Sequence, residues 1–201
     1  MFKKENCPVA RVLLAHGAGA GKDHPFMLQM DELLSGIGLQ VVRFEFPYMQ
    51  KRREDGKRRP PDRMPVLLGH YKALIDSHCV ESDVPVYIAG KSMGGRVASM
   101  LLDETDAVAC FALGFPFHPP GKPDKLRTGH LEGITKPVHI FQGTRDPMGY
   151  REEVLHYALS ESVHLHWLED GDHDLKPRKA SGFSQQMHLE HVTRQIEEII
   201  R

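Results

Sequence analysis

A serine stands at the centre of a glycine-bounded pattern, Gly90-Lys91-Ser92-Met93-Gly94, which has the form G-x-S-x-G. The apolar residues 86–89 before it predict a buried strand, and residues 93–103 after it predict a helix. A strand that turns this sharply into a helix strains the central residue, and small neighbours relieve the crowding. Such a turn lifts the serine hydroxyl above the edge of a sheet, where it can act as a nucleophile. The alternative is a plain turn in which Ser92 caps the helix.

A serine hydroxyl is a weak nucleophile until a base takes its proton, and the base needs a partner that orients it. Asp146 follows the predicted strand 137–142, and His173 lies in a glycine-bounded loop after the predicted strand 163–168. Both positions fall at the carboxyl ends of parallel strands, on the same side of the sheet as Ser92. The order serine, acid, histidine predicts that His173 moves the proton and that Asp146 orients its ring.

Three further aspartates lie close to this histidine in the sequence: Asp170, Asp172 and Asp174. The last two flank the histidine too closely to orient its ring easily. Asp170 is a looser rival to Asp146 for the role of the acid.

An acyl-transfer site also needs donors for the negative oxygen that develops during attack. We expect one donor to be the backbone N–H of Met93, the residue after the serine. The turn after the first predicted strand, residues 11–15, is rich in small residues that let the backbone approach a ligand. We expect the second donor there, at the N–H of Ala18, with Gly19 as the next candidate. His16 in the same turn is expected to brace the loop.

The glycines of that turn are also compatible with a nucleotide site, which is the sharpest alternative. They are Gly17, Gly19 and Gly21. Lys22 stands where the G-x-G-x-x-G pattern needs its third glycine, and His16 stands where a P-loop needs its first. The spacing therefore disfavours nucleotide binding.

Composition excludes several classes of protein. The 201 residues and 22.7 kDa suit one domain, which we predict to span residues 1–201. With 26 Lys+Arg against 27 Asp+Glu the formal net charge is -1, which argues against a nucleic-acid binder. No run of about 18 apolar residues predicts a membrane-spanning helix. Three cysteines without a C-x-x-C pair predict neither a disulfide framework nor a cysteine zinc site, and we expect no metal and no cofactor.

The beginning of the sequence faintly resembles a signal peptide, because Lys3 and Lys4 precede the apolar residues 9–15. His16 and the glycine-rich turn interrupt this pattern at once, and the apolar stretch is needed as the first strand of the site. We therefore expect a cytoplasmic protein.

Apolar periodicity and turn residues predict strands and helices in alternation. The predicted strands are residues 11–15, 39–46, 85–89, 107–113, 137–142 and 163–168, and the predicted helices are residues 25–37, 65–78, 93–103, 150–159 and 182–200. This alternation predicts an α/β fold with a mainly parallel sheet covered on both faces. Strands 39–46 and 163–168 alternate apolar with charged or imidazole side chains, so we place them at the edges of the sheet.

Two stretches do not fit the alternation, residues 47–64 and residues 114–136, and loops this long tend to be functional or mobile. We expect apolar side chains of the second stretch, together with one from a later loop, to wall the substrate pocket: Phe115, Pro116, Phe117 and Met148. The basic residues between 51 and 63 could lean over the pocket mouth and favour an acidic acyl or leaving group. The alternative is a solvated loop.

Four segments carry a resemblance to a known family. They are His16-Gly17-Ala18-Gly19-Ala20-Gly21 with His24-Pro25-Phe26-Met27, then Phe46-Pro47-Tyr48-Met49 leading into Arg58-Arg59-Pro60-Pro61-Asp62, then Gly90-Lys91-Ser92-Met93-Gly94-Gly95-Arg96, and Leu113-Gly114-Phe115-Pro116-Phe117-His118-Pro119-Pro120. The chain resembles the α/β-hydrolase superfamily. More narrowly, it resembles small dienelactone-hydrolase-like bacterial hydrolases related to a mammalian testis-expressed protein and a subunit of the nonspecific-lethal chromatin complex. The resemblance implies a three-layer α/β-hydrolase sandwich with six or seven strands and no large cap domain, and it implies no particular substrate.

Together these patterns predict a serine hydrolase, of the carboxylic ester hydrolase type, that cleaves a small ester or thioester through an acyl-enzyme. Its expected partner is a small-molecule acyl substrate, with no nucleic acid and no membrane, and the expected assembly is a monomer or homodimer. The alternative is a catalytically silent protein that uses the hydrolase fold as a binding or assembly module, as the chromatin relative implies. An acyltransferase would use the same residues.

Overall fold

The computed structural model describes residues 7–201, so Lys3 and Lys4 of the signal-peptide comparison lie outside the described residues. Six parallel strands form one open sheet in the order β2-β1-β3-β4-β5-β6. The strands are β1 (Arg11–Ala15), β2 (Gln40–Phe44), β3 (Val86–Lys91), β4 (Cys110–Leu113), β5 (Val138–Gly143) and β6 (Val163–Leu168). This is the mainly parallel α/β sheet that the sequence predicts.

Helices cover both faces of the sheet and complete the three layers. They are α1 (Pro25–Gly36), α2 (Pro47–Asp55), α3 (Met64–Val80), α4 (Met93–Leu101), α5 (Arg151–Val154) and α6 (Gln185–Ile200). The side chains of β1 alternate between two cores: Leu13 packs with the apolar faces of α3 and α4, and Leu14 packs with those of α1 and α6. Alternation of this kind is the geometry of a strand that is buried on both sides. In the described part of the chain no large cap domain covers the sheet.

The order of the strands places the site. The chain runs outward from β1 to β2 and then returns to the other side of β1 as β3, so the connections after β1 and β3 leave in opposite directions. Ligands of open α/β sheets bind in the crevice at such a point, beyond the carboxyl ends of the strands. Ala15 lies opposite Gly90 in the register of β1 and β3, so the turn after β1 and the turn after β3 meet at this edge.

The predicted edge strands are confirmed, because β2 and β6 close the two sides of the sheet. Cys110 is fully buried among apolar side chains, as a small core residue would be. Within residues 7–201, no helix combines the length and the apolar character needed to cross a membrane.

Two elements differ from the sequence prediction. Residues 47–55, predicted as part of a basic loop, form α2: Pro47 occupies its first turn, and Tyr48 and Met49 are buried. The side chains that face inward therefore stabilise a helix whose outward face is basic. Conversely, the predicted helix 150–159 is a single turn, α5, and Val154 is the only residue of that turn that is buried.

Candidate active site

Ser92 lies in a strained turn between β3 and α4, with φ 52° and ψ −116°. Positive φ is costly for a residue with a side chain and recurs at functional sites. The positions on both sides of Ser92 require glycine, because neighbouring backbone segments approach them too closely for a Cβ. A Cβ at Gly90 would lie 2.3 Å from the carbonyl carbon of Gly94, and a Cβ at Gly94 would lie 2.6 Å from the carbonyl oxygen of Ala15. The G-x-S-x-G spacing is thus what allows this turn to pack against β1.

The side chains of Ser92, His173 and Asp146 form a continuous hydrogen-bonded chain. The Nε2 atom of His173 lies 2.8 Å from the Oγ of Ser92, and its Nδ1 atom lies 2.7 Å from the Oδ2 of Asp146. Because an ionised carboxylate only accepts, Nδ1 carries the proton and donates it to Asp146, which leaves Nε2 to accept from the serine hydroxyl. The carboxylate is fully buried, whereas the imidazole is 20% exposed. The structure therefore brings together three residues that lie far apart in the sequence.

Asp146 is held by two further donors. The amide Nε2 of Gln142 donates to its Oδ2 over 2.8 Å, and the backbone N–H of Met148 donates to its Oδ1 over 2.8 Å. Gln142 is itself buried and accepts from the backbone N–H of Phe115. The sequence analysis assigned no role to Gln142, although a polar residue near the end of an apolar strand, four positions before the acid, was a usable signal.

The loop that carries His173 is anchored through its backbone. The ammonium of Lys91 donates to the carbonyl oxygen of His173 over 2.8 Å and pairs with Asp174 at 3.2 Å. Burial lowers the pKa of Lys91, and the negative charge of Asp174 opposes that shift. Gly114 has φ 64°, and a Cβ there would lie 2.5 Å from the same carbonyl oxygen. The residue between glycine and serine in the motif is therefore a structural tether for the histidine loop.

The rival acids are engaged elsewhere. Asp170 pairs with Arg178 and Arg145, and the hydrogen bond from the Arg178 side chain is the main cause that lowers the pKa of Asp170 to about 2. Asp172 accepts from the backbone N–H groups of Asp174 and Lys176. Both carboxylates thus stabilise the loop rather than contact the imidazole.

The turn after β1 presents the predicted Ala18 beside the serine. Ala18 and Met93 both border cavities next to Ser92, and no protein atom of the described chain accepts a hydrogen bond from either backbone N–H. His16 is buried, and its Nε2 accepts from the backbone N–H of Phe46 over 3.1 Å. It therefore braces the turn, as the sequence analysis expects.

Two cavities of about 300 Å³ each open beside Ser92. We call the first the histidine cavity; its walls include Phe26, Met27, Lys91 and His173. We call the second the arginine cavity; its walls include Leu67, Met93, Arg96, Pro116 and Arg127. Ala18, Ser92 and Met148 border both. The predicted wall residue Met148 therefore lies between the two spaces.

Phe115 and Phe117 do not line either cavity, contrary to the sequence prediction. Both are fully buried in the hydrophobic core, with ring centroids 4.9 Å apart in an edge-to-face arrangement. Pro116, between them, faces the arginine cavity. The backbone N–H of Phe117 donates to the carbonyl oxygen of Phe115 over 3.1 Å, so Pro116 is the central residue of a three-residue turn. Pro116 therefore borders the cavity while the two rings beside it enter the core.

The basic residues of segment 51–63 also lie away from the serine. Arg53 pairs with Asp23 and Glu45, and Arg59 pairs with Asp55. None of the basic side chains of that segment lines the histidine cavity or the arginine cavity. In the described residues no group of three or more histidine, cysteine or acidic side chains is arranged to hold a metal ion.

Comparison with solved structures finds the same fold. The chain is similar to dienelactone hydrolase from Anabaena variabilis (21% identity, TM-score 0.71, covering 95% of this chain and 85% of that one). It is also similar to Est1E from Butyrivibrio proteoclasticus with ferulic acid bound (18%, TM-score 0.69, 98% and 90%) and to the esterase domain of a Rhodothermus marinus protein (17%, TM-score 0.67, 98% and 88%). At these identities the likeness concerns the fold.

No curated protein matches the sequence. Residues 8–201 match the family model described as the α/β hydrolase domain, and the chain therefore belongs to that family.

Proposed function

We propose that this protein is a serine hydrolase that cleaves a small carboxylic ester or thioester through an acyl-enzyme. The observation that carries the proposal is the unbroken hydrogen-bonded chain from Ser92 through His173 to the buried Asp146, at the edge of the sheet where the two cavities meet. A capping serine needs neither the histidine nor the acid, and the strain at Ser92 has no capping purpose, since its side chain accepts no capping hydrogen bond.

In the proposed first step, His173 Nε2 takes the hydroxyl proton as the Oγ of Ser92 bonds to the substrate carbonyl carbon. The N–H groups of Met93 and Ala18 donate to the resulting oxyanion, and Asp146 stabilises the imidazolium. The bond to the leaving oxygen or sulfur then breaks, and that atom receives the proton from Nε2. In the second half, Nε2 of His173 removes a proton from water as the water oxygen bonds to the acyl carbon. The bond between that carbon and the Oγ of Ser92 then breaks, and Nε2 returns the proton to Oγ, which releases the acid and restores the serine.

Replacement of Ser92 with alanine tests the proposal. We expect labelling by a fluorophosphonate probe to disappear and turnover of p-nitrophenyl butyrate to fall by a factor on the order of 10⁶, because the nucleophile is lost. Ser77→Ala, on the exposed face of α3, is the matched control and keeps both activities.

If folded wild-type protein takes no label and hydrolyses no ester, the hydrolase proposal is wrong. That outcome would favour the binding or assembly module that the sequence analysis leaves open.

A further inference from the structure

Arg96 and Arg127 border the arginine cavity, and neither forms an ion pair within the described residues. The Nε atom of Arg96 is buried and has no hydrogen-bond acceptor. The other arginines pair with carboxylates, donate to protein oxygens or are exposed to water; those exposed without an ion pair are Arg58, Arg63, Arg151 and Arg194. Partial burial without any acceptor for the side chain therefore distinguishes this pair.

The surroundings leave the positive charge of the pair uncompensated. Burial lowers the pKa of both guanidinium groups, and the neighbouring charge of Arg127 lowers that of Arg96 further. His130, close to Arg96, has its pKa lowered to about 4, first by burial and then by the charge of Arg96, so its ring is neutral near pH 7. Asp62 also borders the cavity, but it accepts from the backbone N–H of Tyr48 and pairs with neither arginine.

Both guanidinium groups are partly buried, and a charge that is partly withdrawn from water gains more from a nearby opposite charge than a fully exposed one does. A guanidinium fork matches the two oxygens of a carboxylate, and two arginines at one cavity wall provide several such donors. The missing partner is therefore an anion that enters the cavity with the ligand.

The position of His173 decides which part of the substrate enters this cavity. Under the proposed function, on which this inference rests, His173 returns its proton to the leaving atom. His173 lines the histidine cavity and does not line the arginine cavity. The leaving group consequently occupies the histidine cavity, and the acyl group occupies the arginine cavity.

The spacing of Ser92 and Arg96 limits the length of the acyl group. Arg96 follows the serine by four residues, slightly more than one turn of α4, which is a rise of about 6 Å. The apolar lining of the arginine cavity suits methylene groups, because it includes Met64, Leu67, Met93 and Met148.

We propose that the arginine cavity binds a carboxylate at the far end of the acyl chain, so that the preferred substrates are monoesters or monothioesters of short dicarboxylic acids. Arg96 and Arg127 hold that carboxylate, and the scissile carbonyl lies at Ser92. Hydrolysis then releases a dicarboxylate and the alcohol or thiol.

The test compares p-nitrophenyl glutarate, which carries a free carboxylate, with its methyl-capped analogue of nearly equal size. We expect wild-type kcat/KM to favour the free carboxylate by about 10- to 100-fold, because the capped analogue leaves both guanidinium groups unpaired. Arg96→Met, which keeps an unbranched apolar stem and removes the guanidinium charge, is expected to bring the ratio close to one. Arg127→Met should lower it in the same direction, and Arg96→Lys should preserve part of it.

Arg58→Met is the matched control, because it removes one positive charge from an exposed site outside the cavity. Its ratio should equal that of the wild type, which separates local recognition from the overall field of the protein. The rate of fluorophosphonate labelling reports whether each variant is folded and active. If Arg96→Met does not fold, Arg127→Met, on the loop after β4, carries the test.

The possible failures are distinguishable. Labelling and hydrolysis of the capped ester with no preference for the free carboxylate would overturn this inference and leave the hydrolase proposal intact. An arginine-dependent preference for acetate esters that carry the carboxylate on the alcohol would overturn the assignment of the acyl group to this cavity. Absence of any labelling would instead remove the proposed function itself.

Discussion

The two cavities beside Ser92 differ in how their polar groups are satisfied. On the side of the histidine cavity, the imidazole of His173, the carboxylate of Asp146 and the ammonium of Lys91 each contact a protein partner. On the side of the arginine cavity, the guanidinium groups of Arg96 and Arg127 have no such partner among the described residues. The polar groups beside the histidine cavity find all their partners within the protein, as a preorganised catalytic site requires. The two guanidinium groups beside the arginine cavity instead need a partner from a bound ligand.

Of the changes to the groups beside the histidine cavity, Asp146→Asn is expected to lower activity the most. Both carboxylate oxygens accept from donors, Oδ1 from Met148 and Oδ2 from Gln142 and His173, so an amide nitrogen in either place faces another donor. We expect kcat to fall by about 10⁴-fold, because the ring loses the partner that selects its tautomer. Steady-state hydrolysis of p-nitrophenyl butyrate measures the effect.

Asp170→Asn is the control for that substitution, since it weakens the ion pairs with Arg178 and Arg145 and removes no contact of the imidazole. It should retain turnover near the wild-type value. The opposite result, with Asp170→Asn inactive and Asp146→Asn active, would show that the acid had been misassigned.

A smaller loss of activity is expected from Gly114→Ala, because the added methyl group contacts the loop that carries His173. Positive φ alone costs roughly 1 kcal/mol in free energy of unfolding. The new Cβ would also lie 2.5 Å from the carbonyl oxygen of His173, so the loop must shift, and a shift of this kind lowers kcat by about 10- to 100-fold.

Gly121→Ala separates the two causes, because Gly121 has φ 68° but no atom within 4 Å of an added Cβ. Thermal unfolding and kcat of the two variants should diverge, with a loss of activity only at Gly114. Equal activities would mean that the carbonyl contact does not position the histidine.

The smallest expected effect concerns His130, which lies close to Arg96, and it is measured as the pH dependence of the free energy of unfolding. The pKa of His130 is about 4 in the folded protein against an ordinary value of 6.5, so the unfolded chain binds its proton first as the pH falls. The contribution of this group to stability is therefore present above about pH 6.5 and is lost progressively as the pH falls toward 4. His130→Gln should flatten that part of the stability curve, as measured by urea unfolding between pH 4 and 7.

A curve for His130→Gln that runs parallel to that of the wild type would show that the folded protein does not lower the pKa of His130.

Local patterns in the sequence were sufficient for most of the fold. The apolar runs at β3 and β4 and the alternation at β2 and β6 depend on the two-residue period of a strand, so they indicate both the element and its place in the sheet. The basic segment was one of two exceptions, because the helical stretch of α2 is short and only two of its residues, Tyr48 and Met49, are buried.

The residues of the candidate site likewise fall into those that the sequence predicted and those that it did not. Ser92, Asp146 and His173 could be identified from the sequence because each follows a predicted strand, and the carboxyl ends of parallel strands share one edge. The support at Lys91 and the pair at Arg96 and Arg127 could not be identified by that reasoning, because their contacts depend on side-chain direction in three dimensions. Gln142 was missed although its place near the end of an apolar strand was a usable signal.

The amino-acid sequence by itself determined the alternation of strands and helices, the sharp turn at Ser92 and the order of the three residues that meet there, since these depend on period, glycine spacing and chain order. Only the tertiary structure decided that Phe115 and Phe117 enter the core while Pro116 borders a cavity, and that two arginines stand there without a partner among residues 7–201. The physical reason is that a side chain's exposure and neighbours are set by the packing of segments distant in the sequence, which no local pattern encodes.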